Sequence, residues 1–96
     1  MVDNFLACSI NLFAKKQDII LIKNNDLDNA IITPCDLSDL GKTLTDICFS
    51  ENIDTIHIYG NEEFIKKITN DIDIHSGCSA YSNNMIKVEV NKWNIY

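Results

Sequence analysis

At 96 residues, 46% hydrophobic and 23% charged, the chain has enough apolar material for one core and too much for a disordered segment, so a single domain over residues 1–96 is expected. The net charge of −6 is reached without any Arg, which argues against tight, direct binding of nucleic-acid phosphates over a broad face. No apolar run approaches the ~18 residues of a bilayer span, and "MVDNFLACSINLF" has an acid where a signal peptide carries basic residues, so a cytoplasmic protein is expected.

From Phe5 to Phe13, both alternating sets of residues are largely apolar or small, which predicts a strand covered on both faces. "AKKQD" supplies a polar turn, and the β-branched run "IILIK" predicts a second strand, making a hairpin. After the turn cluster "NNDLDN", a third strand "AIIT" is expected to stop at Pro34, which has no N–H to donate. Three strands joined by short turns form an antiparallel meander.

Asp36 to Ile72 then reads as helix, strand, helix. Asp36 is placed to cap the first helix and Asp39 to complement its dipole, while Leu37, Leu40, Leu44, Ile47 and Cys48 follow helical spacing. Gly41 either admits a close neighbour or is tolerated, and Asn52 suits a left-handed cap. "DTIHIYG" sets Ile56 and Ile58 against Thr55, His57 and Tyr59, and its place between two helices predicts parallel pairing. Asn61 caps the second helix, whose stripe is Phe64, Ile65, Ile68 and Ile72. "HSGCSAYSNN" reads as loop, and "MIKVEV" as a last strand with one wet face. Trp93, Ile95 and Tyr96 follow it and are candidates for a partner anchor, since aromatics are enriched at interface hot spots.

Three antiparallel strands followed by helix, strand, helix, strand give an α/β protein with a mixed five-stranded sheet. This element order, over almost the whole chain, resembles the ribonuclease H-like superfamily, which shares it with the resolvases and with each half of the actin-like ATPases. The resemblance implies that topology and, in the family's nucleases, a metal-binding aspartate on the first strand. Here that stretch offers Ser9 and Asn11, with Asp3 too early. A second family acid falls where this chain has Tyr59 and Gly60, and a third falls on a later helix beyond residue 96. Glu62 and Glu63 are explained by the helix start and by their spacing to Lys66 and Lys67. Two-metal hydrolysis needs several converging carboxylates, so no catalytic residue, metal or cofactor is assigned.

The four cysteines form no CxxC pair, and Cys8 and Cys48 fall at core positions, as reduced structural thiols do. His75 and Cys78 make an H-x-x-C pair, but a closed zinc site would need His57 and Cys35 from distant elements, so an ordinary loop explains the pair better. Cys78 is also the best placed cysteine for an exposed, reactive thiol. The Gly60–Asn61 turn is where an open α/β sheet would receive a small nucleotide, with His57, Tyr59 and Asn61 as contacts. Residues 26 to 54 hold seven acids against Lys42, and Asp36, Asp39 and Asp46 are its candidate partner-binding carboxylates. Sixteen Ile, twelve Asn and Lys without Arg suggest an AT-rich genome, bacterial or of a mobile element.

The expected function is therefore a small non-enzymatic protein-binding module that self-associates. Two alternatives stand beside it: an acidic inhibitor of a nucleic-acid enzyme, and a degenerate ribonuclease H-like domain that binds a small nucleotide or nucleic acid.

Overall fold

Seven regular elements follow one another in a computed structural model that describes residues 4–77 and 86–91: β1 (Phe5–Ser9), β2 (Lys16–Ile22), β3 (Ile31–Asp36), α1 (Leu40–Glu51), β4 (Thr55–Tyr59), α2 (Glu62–Gly77) and β5 (Lys87–Val90). The strands form one mixed sheet in the order β3-β2-β1-β4-β5. β1 pairs antiparallel with β2 and β2 with β3, as short turns require, while β4 runs parallel to both β1 and β5 because a helix intervenes on each side of it. No described helix is long and apolar enough to cross a membrane.

Both helices cover one face of the sheet. Leu6, Cys8, Ile19, Leu21, Ile56 and Ile58 meet Leu40, Leu44 and Cys48 of α1 and Ile65, Ile68 and Ile72 of α2 in a single cluster. Each such Leu or Ile side chain, once fully buried, contributes about 1.5–3 kcal/mol. The helices themselves come close at Gly41, where a Cβ would lie 2.6 Å from that of Asp71. The close approach, one of the two roles open to this glycine, is thus the one it has. The opposite face of the sheet holds a smaller cluster of Phe5, Ala7 and Ile22, with Ile20 and Ala30 against it.

Several boundaries differ from the expectations. The first strand ends at Ser9, and residues after Asn11 turn outward, leaving Phe13 wholly exposed. The third strand runs through Pro34 to Asp36, because β3 is an edge and an edge proline can turn its nitrogen side to solvent. A 3-10 turn, Leu37–Asp39, precedes α1, so the helix starts at Leu40, and neither Asp36 nor Asp39 makes a side-chain capping hydrogen bond. The second helix continues beyond the apolar stripe to Gly77, carrying His75 on its exposed last turn where a loop was expected. Asn52 does adopt the left-handed cap, with φ 56° and ψ 48°, and its N–H closes onto Cys48 O.

Candidate functional site

The β1–β2 turn is the most conspicuous feature of the described surface. Asn11 lies two residues past the end of β1, and its Oδ1 accepts from the Phe13 N–H at 3.0 Å, an Asx turn that lifts the next two side chains off the body. Gln17, only 2% exposed, braces this turn from β2. Its Oε1 accepts from the Asn11 N–H at 2.6 Å and its Nε2 donates to Asn11 O at 2.8 Å, so one side-chain amide satisfies both backbone groups of one residue. On this support Phe13 is 100% exposed and Leu12 50% exposed, with Lys15 and Lys16 following. A large apolar ring held in water by a fixed turn has no folding role; its burial is available to a partner. The sequence signal was present in Asn11, a turn former, but the unbroken apolar alternation up to Phe13 outweighed it.

His57 and Tyr59 lie on the sheet face opposite the helices. His57 stands in register between Ala7 and Glu89, and meets the Phe5 ring edge-on, with centroids 5.1 Å apart at 85°. Tyr59 stands beside Ser9 at the ends of the parallel strands. His57 Nδ1 and the Tyr59 phenol oxygen are shielded from solvent, and that burial pushes the phenol above its ordinary range. Asn61 is elsewhere, on the exposed α2 start, where its Oδ1 accepts from the Glu63 N–H at 2.9 Å and its carbonyl accepts from the Ile65 N–H at 3.0 Å. It is the cap of α2, as expected.

His57 and Tyr59 thus share one sheet face, while the Asn61 side chain is engaged in capping α2. The turn that would have received a phosphate is also taken up: the Gly60 N–H donates to Asn91 Oδ1 at 3.0 Å, and Asn91 Nδ2 donates back to Gly60 O at 3.2 Å. Asn91 thus extends the β4–β5 pairing with a side chain, a role that its place after an alternating strand does not announce. Gly60 is needed here, since its φ is 146° and a Cβ would come within 3.0 Å of Ile10 Cβ.

Among the described residues no group of three or more His, Cys, Asp or Glu could hold a metal ion. Cys8 and Cys48 are buried in the helix-side core, as expected. Burial, with Cys35 and Asp18 nearby, pushes the Cys8 thiol up to about 12, and burial with Asp54 does the same to Cys48. Neither is a thiolate at neutral pH. Cys78, and the terminal Trp93, Ile95 and Tyr96, lie outside the described residues.

Asp36, Asp39 and Asp46 are all exposed, at the end of β3, before α1 and on α1 respectively. Three more apolar side chains are exposed nearby in sequence: Leu27, in a 3-10 turn before β3, and Ile31 and Ile32, which begin the strand. The exposure of Ile31 and Ile32 was missed because "AIIT" is apolar whether it lies inside a sheet or at its edge. A groove of about 450 Å³ between the 3-10 turn and α2 is lined by Leu37, Ser38, Phe64, Lys67, Ile68 and Asp71. Compared with known proteins, the chain matches no family model, no curated protein and no solved structure.

Proposed function

We propose that the chain is a non-enzymatic protein-binding module of ribonuclease H-like topology, and that it self-associates through the Leu12–Phe13 tip. The observation that carries this reading is the fully exposed Phe13 on a turn made rigid by Gln17. Ordering costs are a main penalty of association, and a braced aromatic has met most of them before binding. A second copy offers a fitting receptor, since the groove beside Phe64, Leu37 and Ile68 has room for one phenyl ring and is floored by apolar atoms. Tip-to-groove contact is head-to-tail, so assembly would continue past a dimer into rings or chains.

The topology rests on the strand order, two antiparallel pairings followed by two parallel ones, which agrees with the resemblance drawn from the element order. Fold alone brings no activity with it. At the strand ends where the family's nucleases place paired acids, this sheet sets Ser9 beside Tyr59. A retained nucleotide site is disfavoured by the Gly60 N–H already bound to Asn91, with Glu62 and Glu63 following directly.

Sedimentation velocity over about 10–300 μM tests the reading, since weak protein contacts fall in that range. The sedimentation coefficient is expected to rise with concentration for the native chain and to stay at the monomer value for Phe13→Ser. A native chain that remains monomeric throughout refutes self-association; one that assembles equally well with Phe13→Ser refutes the tip.

A further inference from the structure

Strand β3 forms one edge of the sheet, and between its ends it carries only one of the devices that normally blunt an edge, Pro34. The other edge, β5, is four residues long and carries Lys87 and Glu89. β3 has six residues, and between its ends it carries no charge. Pro34 fixes which backbone groups point off the sheet. Having no N–H to give β2, it is accommodated with its nitrogen side outward, and the alternation of an antiparallel strand puts Ile32 in the same set. The Ile32 N–H and C=O and the Pro34 C=O therefore face solvent. Ile32 is 59% exposed and Ile31, on the opposite face, 53%. Charges begin where the strand ends: Asp26 and Asp28 stand before it, and Asp36 is its last residue.

We propose that β3 receives an extended segment of a partner protein as a sixth strand, and that this segment has a β-branched, apolar centre with Lys or Arg at both ends. The inference rests on the protein-binding reading and adds to it a second surface and the chemistry of its occupant. Main-chain bonds to Ile32 supply affinity, Ile31 and Ile32 supply apolar contact on the two faces, and the flanking carboxylates select basic ends. Lys16, in register with Asp36, offsets part of the acidic charge, and Asp18, in register with Pro34, restores it. A second copy of β3 is the poorer occupant. Running antiparallel it brings Asp36 towards Asp26 and Asp28, and running parallel it sets like against like; both are penalised by repulsion.

Titration of a fluorescent nine-residue peptide, with alternating Val and Thr and two Lys at each end, tests this on the full chain. Binding is expected below about 100 μM at low salt, at least about tenfold weaker for the same peptide ended by Glu, and weakened by added salt. Asp28→Lys with Asp36→Lys is expected to reverse the preference between the two peptides. Both carboxylates are exposed, and Asp36 makes no capping hydrogen bond, so the exchange leaves the fold in place. Ile32→Pro removes the outward N–H and is expected to abolish binding; should that chain unfold, Ile32→Lys, at an exposed side chain, must give the same loss. Phe13→Ser is expected to keep the peptide affinity, so self-association can fail while this inference holds, and the reverse. The inference is overturned by no binding at about 1 mM peptide, by equal affinity for both peptides, by binding that survives the Ile32 variants, or by a dimer of the native chain that those variants dissolve.

Discussion

Replacing Gln17 by Leu separates the brace from the rest of the core. The substitution roughly conserves volume and keeps the side chain buried, but removes the two hydrogen bonds to Asn11, at 2.6 and 2.8 Å. Each bond contributes about 1 kcal/mol net, and the freed Asn11 groups, which are only partly buried, can recover some of that from water. Added apolar burial offsets a further fraction, leaving a net loss of about 1–2 kcal/mol. For a chain of this size that lowers Tm by on the order of 10 °C. Urea unfolding followed by circular dichroism measures the loss, and amide hydrogen exchange locates it, with the Asn11 and Phe13 amides exchanging faster than those of β1. Self-association should weaken as well, because a mobile tip must be ordered again on binding. A change in stability under about 0.5 kcal/mol, with Asn11 exchange unaltered, would refute the brace.

Gly41→Ala gains about 1 kcal/mol of helix propensity, yet its Cβ would meet Asp71 Cβ at 2.6 Å, so a net destabilisation of roughly 1–2 kcal/mol is expected by urea unfolding. A stabilised variant would show that α1 and α2 do not touch as described. Gly60→Ala places a side chain at φ 146° and against Ile10, and should cost about 1–3 kcal/mol in the same assay. The buried thiols give a pH dependence whose sign is fixed. Folding raises Cys8 and Cys48 from 9.0 to about 12, so between those values the folded state holds protons the unfolded chain has lost. That contribution is fully present below pH 9, falls as pH rises towards 12, and should be flattened in the Cys8→Ala, Cys48→Ala chain relative to the native one.

Elements set by periodicity were legible from sequence: the alternation of Ile56 and Ile58, the helical stripe through Leu40, Leu44 and Cys48, and the parallel pairing of a strand between two helices. What escaped depended on long-range position. "AIIT" is apolar whether it lies in the middle of a sheet or at its edge, and only the strand order reveals that Ile31 and Ile32 stay in water. Phe13 looked like a continuing strand because nothing local distinguishes a core aromatic from an exposed one, and the deciding residue, Gln17, acts across six positions. The three residues proposed around the Gly60 turn share a neighbourhood in sequence, but strand alternation sends His57 and Tyr59 to the sheet face while Asn61 is spent on capping α2. Asp36 was expected as a cap and Asp39 as a complement to the helix dipole, and the 3-10 turn Leu37–Asp39 before α1 leaves both carboxylates without a capping hydrogen bond.

The central claim is that this chain acts through contacts made by the Leu12–Phe13 tip. Amide chemical shifts recorded as the protein is diluted from about 500 to 20 μM test it residue by residue, since weak association exchanges quickly on that scale. Concentration-dependent shifts are predicted at residues 11 to 15 and around Leu37, Phe64 and Ile68, the two sides of one contact. Shifts confined to other surfaces, or none at any concentration, would contradict it.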